Sequence, residues 1–354
     1  MMRAHWRPAG YTVPNAEVYP WQWLWDSCFH AIVWAELGDA ERAVRELSTA
    51  LADQAADGFV PHVRYLEDPT FLEGFWGRPA TSSITQPPMY GHAVAELRRR
   101  GIDVPAEVVD RAHAGLRFLL EHRRRSDDGL VRVVHPWETG CDNSPRWDDW
   151  CGGRWHRERW YEVKGELLAT VERSAEGSPL ANPAFDVAPA GFNALVAFNA
   201  AELGLQAQAA ELAAALDARW EPELCTWVDG GHRSGRIRTL DALLPVLVCP
   251  DRRGAVFAEL DDDEAYGGRC GPPAVHRAEP CFDPWAYWRG AAWPQLTYLL
   301  AVAGAPASER LITGARASGL AEYWHPDTGA GLGAVPQSWA GLALVGTGAP
   351  APSR

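Results

Sequence analysis

The chain has 354 residues, with 33 Lys plus Arg against 46 Asp plus Glu, for a formal net charge of −13. An acidic chain without a basic block excludes nucleic acid and anionic membrane surfaces as partners, since both demand a positive footprint. At 47% apolar and 22% charged it is too hydrophobic for wholesale disorder, and no uncharged apolar stretch reaches the ~18 residues of a membrane span.

The first eight residues, Met1 to Pro8, lack the apolar core of a signal peptide. The seven cysteines are odd in number and include no Cys-x-x-Cys pair, so neither a disulfide framework nor a zinc knuckle is expected. Both features predict a cytoplasmic protein with reduced thiols. Helical segments of two kinds then follow. The stretch 21–37 is apolar nearly all round, which predicts burial on every side. Next, 39–56 is amphipathic, with Ala43, Val44, Leu47, Ala50 and Leu51 on one face, Asp39 as N-cap and Gly58 as stop. The pair repeats as buried 87–97 and one-faced 105–122, which starts on a proline. A one-faced stretch at 157–173 precedes buried 187–203 and one-faced 205–218. Buried 239–248, one-faced 251–260, buried 291–303, one-faced 306–320 and buried 337–345 complete the series. Six buried helices alternating with six one-faced ones predict an all-α (α/α)6 toroid, an inner ring wrapped by an outer ring. A helical-repeat solenoid is the rival, but the pairs share no repeat sequence. A prior of one domain per ~150 residues suggests two domains; without a linker or a composition break, one domain over 1–346 with a flexible 347–354 tail is expected instead. The basic runs 98–100 and 123–125 fall at helix C-termini, where the helix dipole favours them and solvent is expected to reach them.

The unusual chemistry lies between the helices, in segments too long for mere connectors. Eighteen tryptophans point either to a surface that stacks flat apolar faces or to a large aromatic core. In 19–30, Asp26 sits among Trp21, Trp23 and Trp25, so it must be hydrogen-bonded to protein or ligand. In 138–148, Asp142 lies in a turn stiffened by Gly140 and Pro145, beside Arg146 and Trp147. An Asx-turn accounts for it equally well. In 287–294, Tyr287, Trp288, Arg289 and Trp293 suit a polar, ring-shaped ligand, or simple packing. In 322–333, Glu322 ends a helix and precedes a glycine-rich loop able to fold tightly; Gln337, Ser338 and Trp339 follow. Two isolated carboxylates in Trp-rich loops suit glycoside hydrolysis, where one acid protonates the leaving oxygen and the other activates water. Asp142 and Glu322 are 180 positions apart, so only a closed barrel brings them together. His62 is a candidate sugar contact or a structural histidine. No metal-ligand cluster, phosphate loop or Gly-x-Ser-x-Gly elbow is present, and no cofactor or metal is expected. An (α/α)6 sugar 2-epimerase needs paired histidines at the barrel centre, which the eleven histidines do not suggest. A sugar-binding relative without activity is the other alternative.

At these motifs the chain resembles glycoside hydrolase family 63, in particular its bacterial mannosylglycerate and glucosylglycerate hydrolase branch, and more distantly the trehalases. The resemblance rests on segments 21–31, 58–62, 83–88, 142–147, 287–294 and 322–339, in family order. It implies an (α/α)6 barrel and single-step inversion on a small α-glucoside or α-mannoside, with Asp142 as general acid and Glu322 as general base. It further implies that Tyr19, Trp23, Asp26, His62, Gln86, Tyr287 and Trp293 hold the sugar, while Gln337 reaches the aglycone. Arg146, Trp288 and Arg289 lie in the same motifs and are counted with the substrate-binding set. A neutral Asp142 requires a raised pKa, from burial or from a carboxylate such as Glu138 or Asp148. Three departures stand out, the first being Ala291-Ala292 where the family usually has Pro-Val after the Arg-Gly. Glycerate-binding members carry an Arg in the helix after Gly191–Ala194, where this chain has Phe198, and a glycerate carboxylate suits a guanidinium fork. The 157–190 segment, a candidate lid, matches the family poorly.

Overall fold

The computed structural model describes residues 1–231 and 233–346; the tail expected at 347–354 lies outside the described residues. Among the described residues the α-helices are, in chain order, α1 (Met2–His5), α2 (Leu24–Glu36), α3 (Ala40–Ala50), α4 (Glu73–Trp76), α5 (Tyr90–Arg99), α6 (Ala106–Arg117), α7 (Arg157–Ala169), α8 (Ala190–Glu202), α9 (Gln206–Asp217), α10 (Arg253–Asp261), α11 (Pro294–Val302) and α12 (Ser308–Ala317). Two further helices, Leu240–Leu247 and Ser338–Leu344, wind as 3₁₀. In the first, Pro245 removes a backbone donor and so breaks the α ladder.

The inner ring closes on itself. α2 packs on α5, α5 on α8, α8 on Leu240–Leu247, that helix on α11, α11 on Ser338–Leu344, and Ser338–Leu344 back on α2. These are the six segments whose apolar residues run all round, as burial on every side demands. In α2 every residue from Leu24 to Ala35 is buried. The outer helices α3, α6, α9, α10 and α12 each lean on the inner helix before them, presenting one apolar face. In α3, Ala43, Leu47 and Ala50 are buried, and the Asp39 side chain accepts from the Arg42 amide at 3.2 Å as the N-cap.

One segment differs from its expected place. α7, read from its period as an outer helix, packs instead against the Pro145–Cys151 turn that follows Asp142. The position beside Ser338–Leu344 is taken by the short α1. The reason is the character of α7: its face bearing Trp160 and Lys164 is turned toward a cavity, described below, rather than onto an inner helix.

Short antiparallel ladders frame the mouth. Gln22–Trp23 pairs with Val63–Arg64, and Tyr323–Trp324 with Gly331–Leu332. The two ends of the chain are tied together: the Ser338 amide donates to Pro14 O at 2.8 Å and the Asn15 side chain to Pro336 O at 2.8 Å. No described helix is long and apolar enough to cross a membrane.

Candidate active site

A cavity of about 70 Å³ opens at the mouth of the ring, lined by Tyr19, Trp23, Asp26, Gln86, Asp142, Tyr287, Trp288, Glu322 and Gln337, together with Pro14, Trp25, Gly140 and Trp339. Nine of the residues singled out from the sequence therefore converge on one space, from segments spread over more than 300 positions. An outer vestibule shares Tyr19, Trp23, Gln86, Asp142 and Tyr287 with it and adds His62, Arg289 and an aromatic wall that includes Trp76, Trp137, Trp160 and Tyr161.

Glu322 is buried and accepts two hydrogen bonds, from Tyr19 Oη at 3.0 Å and from the Ala334 amide at 3.0 Å. Its local conformation depends on Gly333, whose φ is +70°; an added Cβ would lie 2.4 Å from Glu322 Oε2. The Trp339 indole donates to the Glu322 carbonyl at 2.9 Å. Burial pushes the Glu322 carboxyl up to about 7, against the pull of its two donors.

Asp142 faces Glu322 across the cavity. Burial pushes its carboxyl up to about 7 as well; the Lys164 ammonium and a Tyr287 hydrogen bond pull it down, and the Glu322 charge adds to the rise. The carboxylates expected to assist, Glu138 and Asp148, are occupied elsewhere. Glu138 is fully buried against Arg123 and also accepts from the amides of Thr85 (3.1 Å) and Val134 (2.8 Å), tying the Gln86 loop to the Asp142 loop. Arg123, expected in solvent, is thus a buried partner. Asp148 takes a bidentate contact from Arg289 at 2.9 and 2.7 Å. Gly140, with φ +72°, lets the Asp142 loop pass Trp25, whose ring an added Cβ would meet at 2.5 Å.

Asp26, in the first turn of α2, is held well above the ordinary carboxylate range by burial and by the nearby Glu322 charge. The indole N–H of Trp23 and the Gln337 Oε1 are buried without a protein partner, whereas the Trp288 indole reaches the Tyr287 hydroxyl. Buried polar groups without partners are costly, and these two border the cavity, where a polyol would satisfy them. His62 is neutral, its pKa lowered to about 3 by burial and by His135; it shares a hydrogen with Ser82 Oγ at 2.6 Å and packs against Trp23 and Trp76.

Three expectations are corrected. Arg146 does not reach the cavity: it is fully buried between Asp229 (2.6 Å) and Asp241, and Asp229 in turn accepts from the Ala190 amide at the start of α8 (2.8 Å). Trp293 lies behind the wall, fully buried, stacked on Trp288 at 3.7 Å and 4° and on Tyr323 at 4.7 Å and 20°. That stack holds Trp288 at a left-handed φ of +57°, a strained conformation for a non-glycine residue that recurs at ligand sites. Phe198 lines neither cavity nor vestibule; it lies in the second half of α8, packed on His92 at 5.0 Å, so its identity says nothing about an aglycone. Residues missed from the sequence are Trp25 and Trp339 in the cavity, and Trp76, Trp137, Trp160, Tyr161 and Lys164 in the vestibule. Trp25 and Trp339 stood inside the motifs already noted; the others are scattered and carry no local pattern.

An (α/α)6 ring with two facing carboxylates in an aromatic cavity defines the class: a glycoside hydrolase. The chain belongs to the mannosylglycerate hydrolase MGH1-like glycoside hydrolase domain family, whose model matches residues 19–340. It is 31% identical to the mannosylglycerate hydrolase of Thermus thermophilus, over 95% of this chain and 96% of that one. It is 29% identical to the glucosylglycerate hydrolase of Mycolicibacterium hassiacum, over 93% and 92%. The crystal structure of a GH63 mannosylglycerate hydrolase from Thermus thermophilus in complex with Tris and D-glycerate superposes with a TM-score of 0.79 at 26% identity, covering 97% of both chains. Neutral trehalase Nth1 of Saccharomyces cerevisiae, at 12% identity and a TM-score of 0.53, shares the fold.

Proposed function

We propose that this chain hydrolyses a small α-glucoside or α-mannoside of glycerate with inversion, with Asp142 as general acid and Glu322 as general base. The sugar occupies the inner cavity, where Asp26, Gln86 and the indoles of Trp23 and Trp288 meet its hydroxyls. Water held at Glu322 attacks the anomeric carbon. The bond from that carbon to the aglycone oxygen breaks, the Asp142 proton passes to the leaving oxygen, and the water proton passes to Glu322. Free sugar and free alcohol result, and transfer of the proton back through solvent restores both carboxyls.

The observation that carries this reading is the pair itself. Asp142 and Glu322 face one cavity, both with pKa values near 7, but their surroundings differ. Glu322 accepts from Tyr19 and the Ala334 amide, donors that favour its ionised form. Asp142 opens onto the vestibule, where a leaving group stands. The reading places the one proton shared near neutrality on Asp142, as an acid and base pair requires.

We read residues 1–346 as one catalytic domain, and the compartment as the cytoplasm, where seven unpaired cysteines stay reduced. The test is anomer-resolved NMR during hydrolysis of glucosylglycerate, mannosylglycerate and trehalose. An α-glycoside must release the β-sugar first, and Asp142→Asn and Glu322→Gln must each lower kcat by about 1000-fold or more. First-formed α-sugar, or full activity in either variant, overturns the reading.

A further inference from the structure

The seam at which the ring closes, between α2 and the helix Ser338–Leu344, carries a polar cluster that lies outside the cavity. His30 of the 19–30 segment is at its centre. Its Nε2 shares a hydrogen with Ser338 Oγ at 2.6 Å, and its Nδ1 lies 3.8 Å from Glu46 Oε1. Glu46, on α3, accepts in turn from the Ser27 hydroxyl at 2.7 Å and the Thr12 amide at 2.8 Å. The Ser338 hydroxyl also stands 3.1 Å from the Val13 and Pro14 carbonyls, and the Ser338 amide donates to Pro14 O at 2.8 Å. Ser27, His30, Glu46 and Ser338 are all fully buried, so no solvent replaces a bond that is lost, and each partner fixes the next.

This cluster abuts the cavity on both sides of the seam. Asp26 precedes His30 by one turn of α2, so the helix holds the two in fixed relation on one face. Ser338 follows Gln337, and Gln337, Pro14 and Asp26 all line the cavity. Gln337 is the N-cap residue of its helix, yet its side chain makes no cap hydrogen bond, and its Oε1 is buried without a protein partner. Anchors on either side fix its backbone: the Gln337 amide donates to Leu320 O at 2.8 Å, and Ser338 is pinned by His30.

We propose that His30 is a positioning residue for substrate: through Ser338 it sets the Gln337 carboxamide in register with Asp26, across the seam where the ring closes. The inference rests on the hydrolase reading above, with the sugar in the inner cavity. His30 does not line that cavity, so its influence on substrate passes through Gln337. A carboxamide oxygen that accepts from a substrate hydroxyl does so from binding through to the transition state, and such a contact is read in KM rather than in kcat. A rigid ring that meets Ser338 on one edge and Glu46 on the other joins α3, α2 and the last inner helix at a single point, which a flexible side chain would hold less firmly.

The test is a double-mutant cycle between His30 and Gln337, read in KM and kcat for the glycoside that the wild type hydrolyses. His30→Leu and Gln337→Met are each expected to raise KM about 10-fold, the worth of one hydrogen bond, with kcat changed by less than about 3-fold. Together they raise KM about 10-fold rather than 100-fold, because the second substitution removes a contact that the first has already misplaced. His30→Gln, whose amide reaches about as far from Cβ as the imidazole Nε2, restores most of the loss. Ser338→Ala removes the same link with a smaller change of volume; it is expected to match His30→Leu in KM, and it carries the test should His30→Leu not fold. A histidine that merely packs would lower Tm and leave KM of the folded protein at the wild-type value. That result, or effects of His30 and Gln337 that multiply, overturns the inference while the hydrolase reading stands. A wild type that hydrolyses no α-glycoside overturns the hydrolase reading instead, and the same cycle is then read from calorimetric titration with glucose and mannose. Losses that multiply there, or a wild type that binds neither sugar, overturn the inference as well.

Discussion

At the level of single residues, the proposed acid and base are two carboxyls with nearly the same affinity for a proton and different neighbours. Those roles give the pH dependence a definite sign. Below about 7 Glu322 takes up a proton and would no longer serve as base; above about 7 Asp142 ionises and would no longer serve as acid. The kcat/KM profile is therefore a bell with its maximum near pH 7 and both limbs close to it. A plateau extending from pH 5 to pH 9 in steady-state rates would contradict these roles. Glycine acts here too. Gly333→Ala would drive a methyl group into Glu322 Oε2 and force a left-handed φ on alanine. An ångström of displacement at a reacting group costs about 100-fold, so kcat is expected to fall by about that factor with KM little changed. A variant with wild-type kcat would show that Glu322 has room to spare. The residue types of the pair were legible in the sequence, because a carboxylate isolated among tryptophans must be satisfied by a specific donor or by a ligand. Their partners were not. Glu138 and Asp148 stood nearer in the chain to Asp142 than Glu322 does, yet each is neutralised by an arginine that only folding brings to it.

At the level of elements, each site residue is held by a loop that the helix starts anchor. Arg146 exemplifies this: it joins the acid loop to Asp229, which caps α8, and to Asp241 on the neighbouring inner helix. Arg146→Met removes the cation that bridges two buried carboxylates. Loss of one partner from a buried pair costs about 3–5 kcal/mol, to be read from urea unfolding, while KM for the glycoside in the folded fraction stays at the wild-type value. A raised KM with intact stability would return Arg146 to the substrate-binding set. α7 shows where reading from periodicity stops. A period of 3.6 reveals that a helix has two unlike faces, but not what lies opposite either. α7 lays Lys164 and Trp160 over the vestibule, and Trp160 Nε1 bonds to the Asp142 carbonyl (3.1 Å) and the Asn143 side chain (2.8 Å), so the helix braces the acid loop.

For the molecule as a unit, closure of the ring is what makes the site. Tyr19 and Glu322 are 303 positions apart and meet at 3.0 Å, because Ser338–Leu344 returns to α2 and ties the two ends of the chain. The order of amino acids alone was enough to establish the alternation of buried and one-faced helices, hence the toroid. It also singled out the loops that bring Asp142, Glu322 and the stacking aromatics to the cavity. Those properties are local: burial all round, or on one face, is written in the spacing of apolar residues along a few turns. Which side chains reach the cavity was settled by folding. Packing set Arg146 and Trp293 behind the wall, moved Phe198 out of consideration and brought Lys164 forward. The physical reason is charge pairing and packing between distant segments. Which counter-ion a buried charge meets depends on neighbours that no stretch of sequence contains.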